Sequence, residues 1–274
     1  MMTMEQTIAL IGFGEAGSTF AAAAGWGKMA RAFDIRADRA TIAADAGVTF
    51  CNTPAQALAG AQIVLSLVTA DAALNVARDY APFLAPGTVW CDMNSVAPDT
   101  KRAAAAYVDT AGGHYVDVAV LAPVDPARMA VPLLVAGHAS DIATQLLHAA
   151  GFANIRSVGA EIGRASAIKM IRSVMVKGIE ALTAEMMLAA ISAGVAEEVL
   201  ASLDASERKQ SWFVRAPYNI ERMTTHGLRR AAEMEESVKT LTALGVDPTM
   251  TTGTVRRQRE QAGHTIAIPT GQTA

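Results

Sequence analysis

The chain has 274 residues, 51% hydrophobic and 18% charged, with 23 basic against 26 acidic side chains and a formal net charge of −3. That composition suits one large or two ordinary folded domains and excludes a disordered segment. The charge balance offers no basic surface for nucleic acid or an anionic membrane. No apolar run reaches the roughly 18–20 residues of a bilayer span, and no basic region with an apolar leader precedes the first strand. Cys51 and Cys91 form neither a disulfide framework nor a metal spacing. Two buried thiols in a cytoplasmic protein are the expectation.

Residues 7–11, Thr-Ile-Ala-Leu-Ile, read as a buried strand bounded by glycine. Gly12-Phe13-Gly14-Glu15-Ala16-Gly17 follows, then an alanine-rich helix to Ala24. The spacing is G-x-G-x-x-G: the first glycine allows the tight turn, the second close approach to a pyrophosphate, the third helix packing on the strand. The phosphates belong on the helix N-terminus, where unbonded N–H groups point. A second strand, Ala30–Ile35, carries Asp34 about twenty residues beyond the glycines, where an acid takes ribose hydroxyls. A plain strand–turn–helix is the bland alternative, but strand, helix and acid all agree with a dinucleotide site.

Alternation continues through a helix at Arg39–Ala46, a strand at Val48–Phe50, a short helix at Pro54–Ala59 and a strand at Gln62–Val68. Val68 and Thr69, at that strand's end, should border the cofactor, and Thr69-Ala70-Asp71 reads as a helix cap before a helix to Tyr80. Thr88–Cys91 is a strand, and Asp92-Met93-Asn94-Ser95 its end loop. Pro98 opens a helix to Thr110, and His114–Val120, Val131–Ala136 and Asp141–Ala150 complete the series. Such alternation predicts an α/β fold with a doubly wound parallel Rossmann sheet, whose ligands lie beyond the C-terminal strand ends. Strand patterns stop near Val158. The expected division is therefore a dinucleotide-binding domain at 1–158 and an all-helical domain at 159–274 for substrate and oligomerisation.

The helical part opens with a proline-free stretch, Gly163–Ile191, predicted as a long, mostly buried interdomain helix with Ile168, Ile171, Met175, Ile179, Leu182 and Met186 at helical spacing. Lys169, Arg172, Ser173, Lys177 and Glu180 form a second row on one stripe. Helices follow at Val195–Leu203, at Glu207–Arg215 up to a break at Pro217, and at His226–Leu244 with Gly245 as C-cap. Thr251–Gln261 is a last helix and Gly263–Ala274 a polar tail.

With these residues in view, the chain resembles the β-hydroxyacid dehydrogenase family, relatives of 3-hydroxyisobutyrate and 6-phosphogluconate dehydrogenases, and within it a phosphogluconate-dehydrogenase-like branch. The resemblance spans nearly the whole length. It rests on Gly12-Phe13-Gly14-Glu15-Ala16-Gly17, on Asp92-Met93-Asn94-Ser95, and on Gly163 followed six residues later by Lys169. It implies that Lys169 is the catalytic lysine, that Ser95 stands on the nicotinamide side touching cofactor and substrate, and that the protein is a homodimer or higher homo-oligomer. Two departures bear on substrate. Where the family usually reads Asp-Ala-Pro-Val-Ser-Gly-Gly, this chain has Asp117-Val118-Ala119-Val120-Leu121-Ala122-Pro123, so Leu121 and Ala122 take substrate-loop positions. Ser173 replaces the family's asparagine four residues after the lysine.

The expected activity is NAD(P)-dependent hydride transfer between nicotinamide and a small, acidic hydroxy or keto substrate, with Lys169 as general acid/base. Burial and the cations Arg172 and Lys177 should make that lysine easier to deprotonate. Ser173, Lys177 and His226 are candidate substrate contacts; each also has a bland reading, as a residue bonded back to its helix, solvated, or structural. Asp34 favours NAD, while Arg36 keeps NADP open by offering a clamp for a 2′-phosphate. A non-catalytic dinucleotide-binding regulator and an imine-reducing enzyme are the alternatives. The remaining histidines, His114, His138, His148 and His264, show no ligand spacing, so no metal is expected.

Overall fold

In the computed structural model, residues 7–206 and 210–264 are described. They divide into two compact units, Met1–Ser173 and Val174–Ala274.

The first unit is built on eight strands: β1 (Ile8–Ile11), β2 (Ala30–Phe33), β3 (Thr49–Phe50), β4 (Ile63–Ser66), β5 (Val89–Asp92), β6 (His114–Val120), β7 (Leu133–Ala136) and β8 (Ile155–Ser157). They form one sheet in the order β3-β2-β1-β4-β5-β6-β7-β8. The central strands are buried on both faces, as a doubly covered parallel sheet requires. Ile8 and Leu10 join one apolar layer with Phe20 and Ala21 of α1 (Glu15–Ala24) and Ala143 and Leu147 of α6 (Ser140–Ala149). Ala9 and Ile11 join the opposite layer with Leu58 of α3 (Pro54–Leu58), Ala77 of α4 (Ala73–Tyr80) and Ala104 and Val108 of α5 (Pro98–Thr110). A short α2 (Arg39–Asp45) lies between β2 and β3.

One expectation needs correcting here. The sheet is not wholly parallel, because β7 pairs antiparallel with β6. A parallel return needs a crossover of a dozen or more residues, usually helical. The segment between β6 and β7 carries only the single short 3-10 turn Arg128–Ala130, so the chain comes back alongside the strand it has just left.

The helical elements are α7 (Arg164–Ala193), α8 (Ala196–Ser206), α9 (Trp212–Ala243) and α10 (Thr249–Gln261). The first ten residues of α7 pack with the sheet unit; the rest belongs to the second unit. There α9 lies against α10. A Cβ on Gly227 would overlap the Gln258 carbonyl, so glycine is what lets the two backbones approach. Glu185 of α7 is 8% exposed and accepts the backbone N–H groups of Met250 (2.6 Å) and Thr251 (2.8 Å) at the start of α10, together with the Thr251 hydroxyl.

The helical part corrects the sequence reading twice. The expected break at Pro217 is absent: the proline lies inside α9, which runs unbroken from Trp212. Close to a helix start, proline removes a single bond of the ladder. The start of the expected helix, 207–209, lies outside the described residues, as does the tail from 265 onward. Second, α7 is not buried by this chain. Ile171 is 72% exposed, Met175 47%, Ile179 45% and Leu182 43%, while Met186 is half-buried. A helix of 30 residues is about 45 Å long, more than one small unit can cover.

Candidate active site

At the C-terminal edge of the sheet, β1 stands between β2 and β4, the point where strand order reverses. Open α/β sheets bind ligands in the crevice at such a point. Gly12 ends β1 with φ 91°, a left-handed value. A Cβ there would lie 2.5 Å from the Leu67 carbonyl oxygen and 2.9 Å from Val68 Cγ1, so glycine is required twice over. Around Gly14, the residue before α1, a Cβ would meet nothing within 4 Å, which leaves its backbone open to an approaching group. At Gly17 a Cβ would meet the Gly12 carbonyl at 2.8 Å, so the third glycine seats α1 against the turn. These are the roles of the three glycines in a pyrophosphate cradle.

A cavity of ≈ 410 Å³ opens beside this turn, lined by Gly12, Gly14, Asp34, Arg36, Arg39, Val68, Thr69 and Tyr80 among others. Asp34 Oδ2 accepts the Phe13 N–H at 2.7 Å and Oδ1 the Arg36 N–H at 2.9 Å. The carboxylate is thus fixed at the cavity, where a ribose would present its hydroxyls. Phe13 itself is buried and contributes its backbone, not its ring. Glu15 is exposed in the first turn of α1 and Ala16 is half-buried beside it. Tyr80 packs edge-on to Phe33, and burial pushes its phenol up, so it presents a neutral ring and hydroxyl. The expected side-chain cap ahead of α4 is missing: the Thr69 carbonyl accepts the N–H groups of Ala72 and Ala73 instead.

The loop after β5 brings in Ser95, and the start of α7 brings in Lys169. Lys169 Nζ donates to Ser95 Oγ at 2.5 Å, across 74 residues of sequence. Gly163 makes that approach of α7 possible. Its φ is 97°, and a Cβ would lie 3.0 Å from Pro98 Cβ and 2.5 Å from the Arg102 guanidinium. The expected burial of Lys169 is not met within this chain: the residue is half-buried, because its flank of α7 is uncovered, and Ser95, on the loop after β5, is exposed. Arg172 turns to the Leu121 carbonyl (3.2 Å). Leu121 packs partly on Ala119, Leu134, Ala136 and Ala165, whereas Ala122 is exposed. Ser173, one turn beyond Lys169, is half-buried. Lys177 and His226 are exposed residues of the second unit. There Arg229, near His226, pairs with Glu233 at 2.5 Å. Among the described residues no group of three His, Cys, Asp or Glu side chains is placed to hold a metal, and no helix is long and apolar enough to cross a membrane.

Four buried residues stand behind this edge: Asp92 and Asp117, which sequence reasoning met only as parts of motifs and gave no role, and Lys101 and Tyr115, which it did not single out. Lys101 carried a signal, since it stands at helical spacing with Ala104, Ala105 and Val108 on the apolar face of α5. A lysine on such a face needs a buried partner.

Residues 7–159 match the family model described as the NAD binding domain of 6-phosphogluconate dehydrogenase. The chain belongs to this family. A second model, a domain of unknown function, matches residues 190–261. Among solved structures, a conserved hypothetical protein from Sinorhizobium meliloti 1021 is 38% identical with a TM-score of 0.63, over 94% of this chain and 88% of that one. The conserved protein MTH1747, described by its structural similarity with 3-hydroxyacid dehydrogenases, is 28% identical with a TM-score of 0.62, over 93% and 96%. An imine reductase from Myxococcus stipitatus, in complex with NADP+, shares the fold at TM-score 0.78 and 17% identity, over 93% of each chain. A curated relative, an uncharacterized 28.5 kDa protein from Methanothermus fervidus, is 28% identical over 62% of this chain, which spans 64% of that protein's length. The 6-phosphogluconate-dehydrogenase-like domain thus carries an NAD(P)-binding dehydrogenase fold, similar to those of 3-hydroxyacid dehydrogenases and imine reductases.

Proposed function

We propose that the protein is an NAD(P)-dependent oxidoreductase that interconverts a small acidic hydroxy compound and its keto form, with Lys169 as general acid/base. The observation that carries this reading is the Lys169 Nζ to Ser95 Oγ hydrogen bond of 2.5 Å. An amine near the start of α7 and a hydroxyl on the loop after β5 are thus within hydrogen-bond reach, which supports an acid/base pair. The cradle of Gly12 and Gly14, with Asp34 on the ribose side, fits a dinucleotide. That cofactor, when bound, supplies or takes the hydride.

The side chains then have separate tasks. Ser95 offers its hydroxyl to the substrate oxygen and orients Lys169. In reduction, the Lys169 ammonium gives a proton to the oxygen as negative charge develops on it; in oxidation, the neutral amine takes the hydroxyl proton. Arg172, whose guanidinium is anchored on Leu121, adds positive charge on the same stripe and favours an anionic substrate. Ser173 lines the same flank one turn on. Lys177 and His226, in the helical part, remain further candidates for substrate contact, and that part is the candidate for subunit contacts.

A second reading is imine reduction, favoured by the fold likeness to an imine reductase and by the loss of the usual serine and glycines at Leu121–Pro123. Nicotinamide absorbance, followed with NADH and NADPH against 3-keto acids and cyclic imines and with NAD+ and NADP+ against 3-hydroxy acids, separates the two. Lys169→Ala should lower turnover of a keto acid by roughly 10²–10⁴-fold while cofactor affinity stays unchanged. A Lys169→Ala enzyme with near-normal turnover would refute the assignment, and consumption of imines alone would favour the second reading.

A further inference from the structure

Asp92 ends β5, Asp117 sits within β6, and the two are paired directly across the ladder. They are 1% and 0% exposed, and Lys101, in the first turn of α5, is 0% exposed. The reaction proposed above uses none of them. Lys101 Nζ donates to the Asp92 carbonyl (2.6 Å) and Asp92 Oδ1 (3.0 Å), and lies 3.5 Å from Asp117 Oδ1. Asp92 also accepts the Asn94 N–H (2.9 Å), the Asn94 side-chain amide (2.8 Å) and the Tyr115 hydroxyl (2.6 Å). Burial, then the charge of Asp92, pushes the Tyr115 phenol well above its ordinary value, so it remains a donor. Asp117 turns its other oxygen, Oδ2, to the N–H groups of Gly163 (3.1 Å) and Ser166 (2.9 Å), at the start of α7.

We infer that the buried Asp92–Lys101–Asp117 triad is a positioning device that ties the loop carrying Ser95 to the helix start carrying Lys169. Ser95 directly follows Asn94, which Asp92 holds through both main chain and side chain. Lys169 lies one turn beyond Ser166, which Asp117 holds. Both carboxylates share Lys101, so loop and helix have a common anchor in the sheet. A helix can satisfy its first N–H groups with a residue of its own. Here a strand residue 46 positions upstream does so, and fixes the helix relative to β5 and β6. The formal charges sum to −1, set against the positive end of the 30-residue helix. A buried ion cluster is not the cheapest filling for a core, since apolar side chains of similar volume do as well or better. Its return here is a fixed Ser95–Lys169 geometry.

The role given to Lys169 rests on the reading above, but the tether is testable without turnover. Competitive acetylation with acetic anhydride, read by peptide mass spectrometry, reports how freely the Lys169 amine reacts. Asp117→Ala should raise that rate about three- to ten-fold, the factor equivalent to one hydrogen bond, and Ser95→Ala by a similar factor. Asp117→Asn keeps an oxygen for the two N–H groups and should stay within about two-fold of wild type. Val118→Ala truncates the neighbouring core residue on the opposite face and should cost stability without changing the rate, which separates positioning from plain destabilisation. NADH affinity should hold in the Asp117→Ala, Asp117→Asn and Val118→Ala proteins. A folded Asp117→Ala protein with the wild-type rate overturns the inference. If that variant does not fold, hydrogen exchange of the wild type decides. Gly163 and Ser166 amides as slow as those of β6 support the tether, and exchange faster by about two orders of magnitude, the mark of local opening, overturns it. Because no turnover is read, failure of the acid/base assignment would leave this result standing, and the reverse.

Discussion

Asp34 accepts the backbone N–H of Phe13 at 2.7 Å, so the acid after β2 is latched to the glycine turn after β1. The latch leaves a carboxylate facing the cavity, which suits ribose hydroxyls and repels a 2′-phosphate. Arg36, the residue able to clamp that phosphate, is paired with Asp38 at 2.7 Å. NAD should therefore be preferred, with NADP usable, because an exposed pair of this kind is easily opened. Asp34→Ala should weaken NADH binding by about ten-fold or more and leave NADPH less affected. Higher catalytic efficiency with NADP than with NAD in the wild-type enzyme would contradict this.

The uncovered apolar surface of α7 should bring two or more chains together. Leu188 and Ile191 are 61% and 64% exposed on the same helix. Faces of this kind mark contacts between subunits. Light scattering at micromolar protein should give a mass above that of one chain, and the double variant Leu188→Asp/Ile191→Asp should shift it toward the monomer. A wild-type mass equal to one chain would dispose of the idea.

Substrate choice should depart from that of 3-hydroxyisobutyrate dehydrogenases. Leu121, Ala122 and Pro123 stand where the family carries a serine and two glycines, removing a hydroxyl donor and two places of close backbone approach. Leu121 instead packs on Leu134 and Ala165. Turnover of 3-hydroxyisobutyrate should be weak or absent in a steady-state assay; efficient turnover would show that this segment does not set the choice.

Acid should weaken the helical unit through Glu185. Burial pushes its carboxyl up, but the Thr251 hydroxyl and the N–H groups of Met250 and Thr251 outweigh burial and hold it below the ordinary glutamate value. A depressed folded value means the stabilisation is complete above the unfolded value of about 4.3 and is lost as pH falls through the folded one. Glu185→Gln should flatten that acid limb and cost about 1–2 kcal/mol at neutral pH, as judged by urea unfolding at pH 7 and pH 4.

Much of the sheet unit was legible because its signals are local. Pro98 set the start of α5, and the spacing of Gly12, Gly14 and Gly17 gave the turn. The direction of β7 was not legible, since strand pairing is decided by partners distant in sequence. Nor was the exposure of α7: apolar periodicity says that a helix face seeks cover, not which molecule covers it. Lys169 and Ser95 were each visible through the family resemblance, but their contact depends on Gly163 and Asp117, 46 residues apart, which only the fold brings together. The expectation of a buried lysine failed for the same reason as that of a buried α7.

The side-by-side placement of Asp92 and Asp117 also bears on how the sheet finds its pairing. Strand β5 is only four residues long and β6 offers apolar side chains on both faces, so neighbouring alignments would bury similar apolar area. A slip of one residue would turn Asp117 toward the layer that holds Cys91, Val116 and Val118, with no cation to meet it. Only the native alignment gives Lys101 two carboxylates and the start of α7 its acceptor. The two acids thus act as a built-in check on strand alignment, making a misthreaded sheet costly.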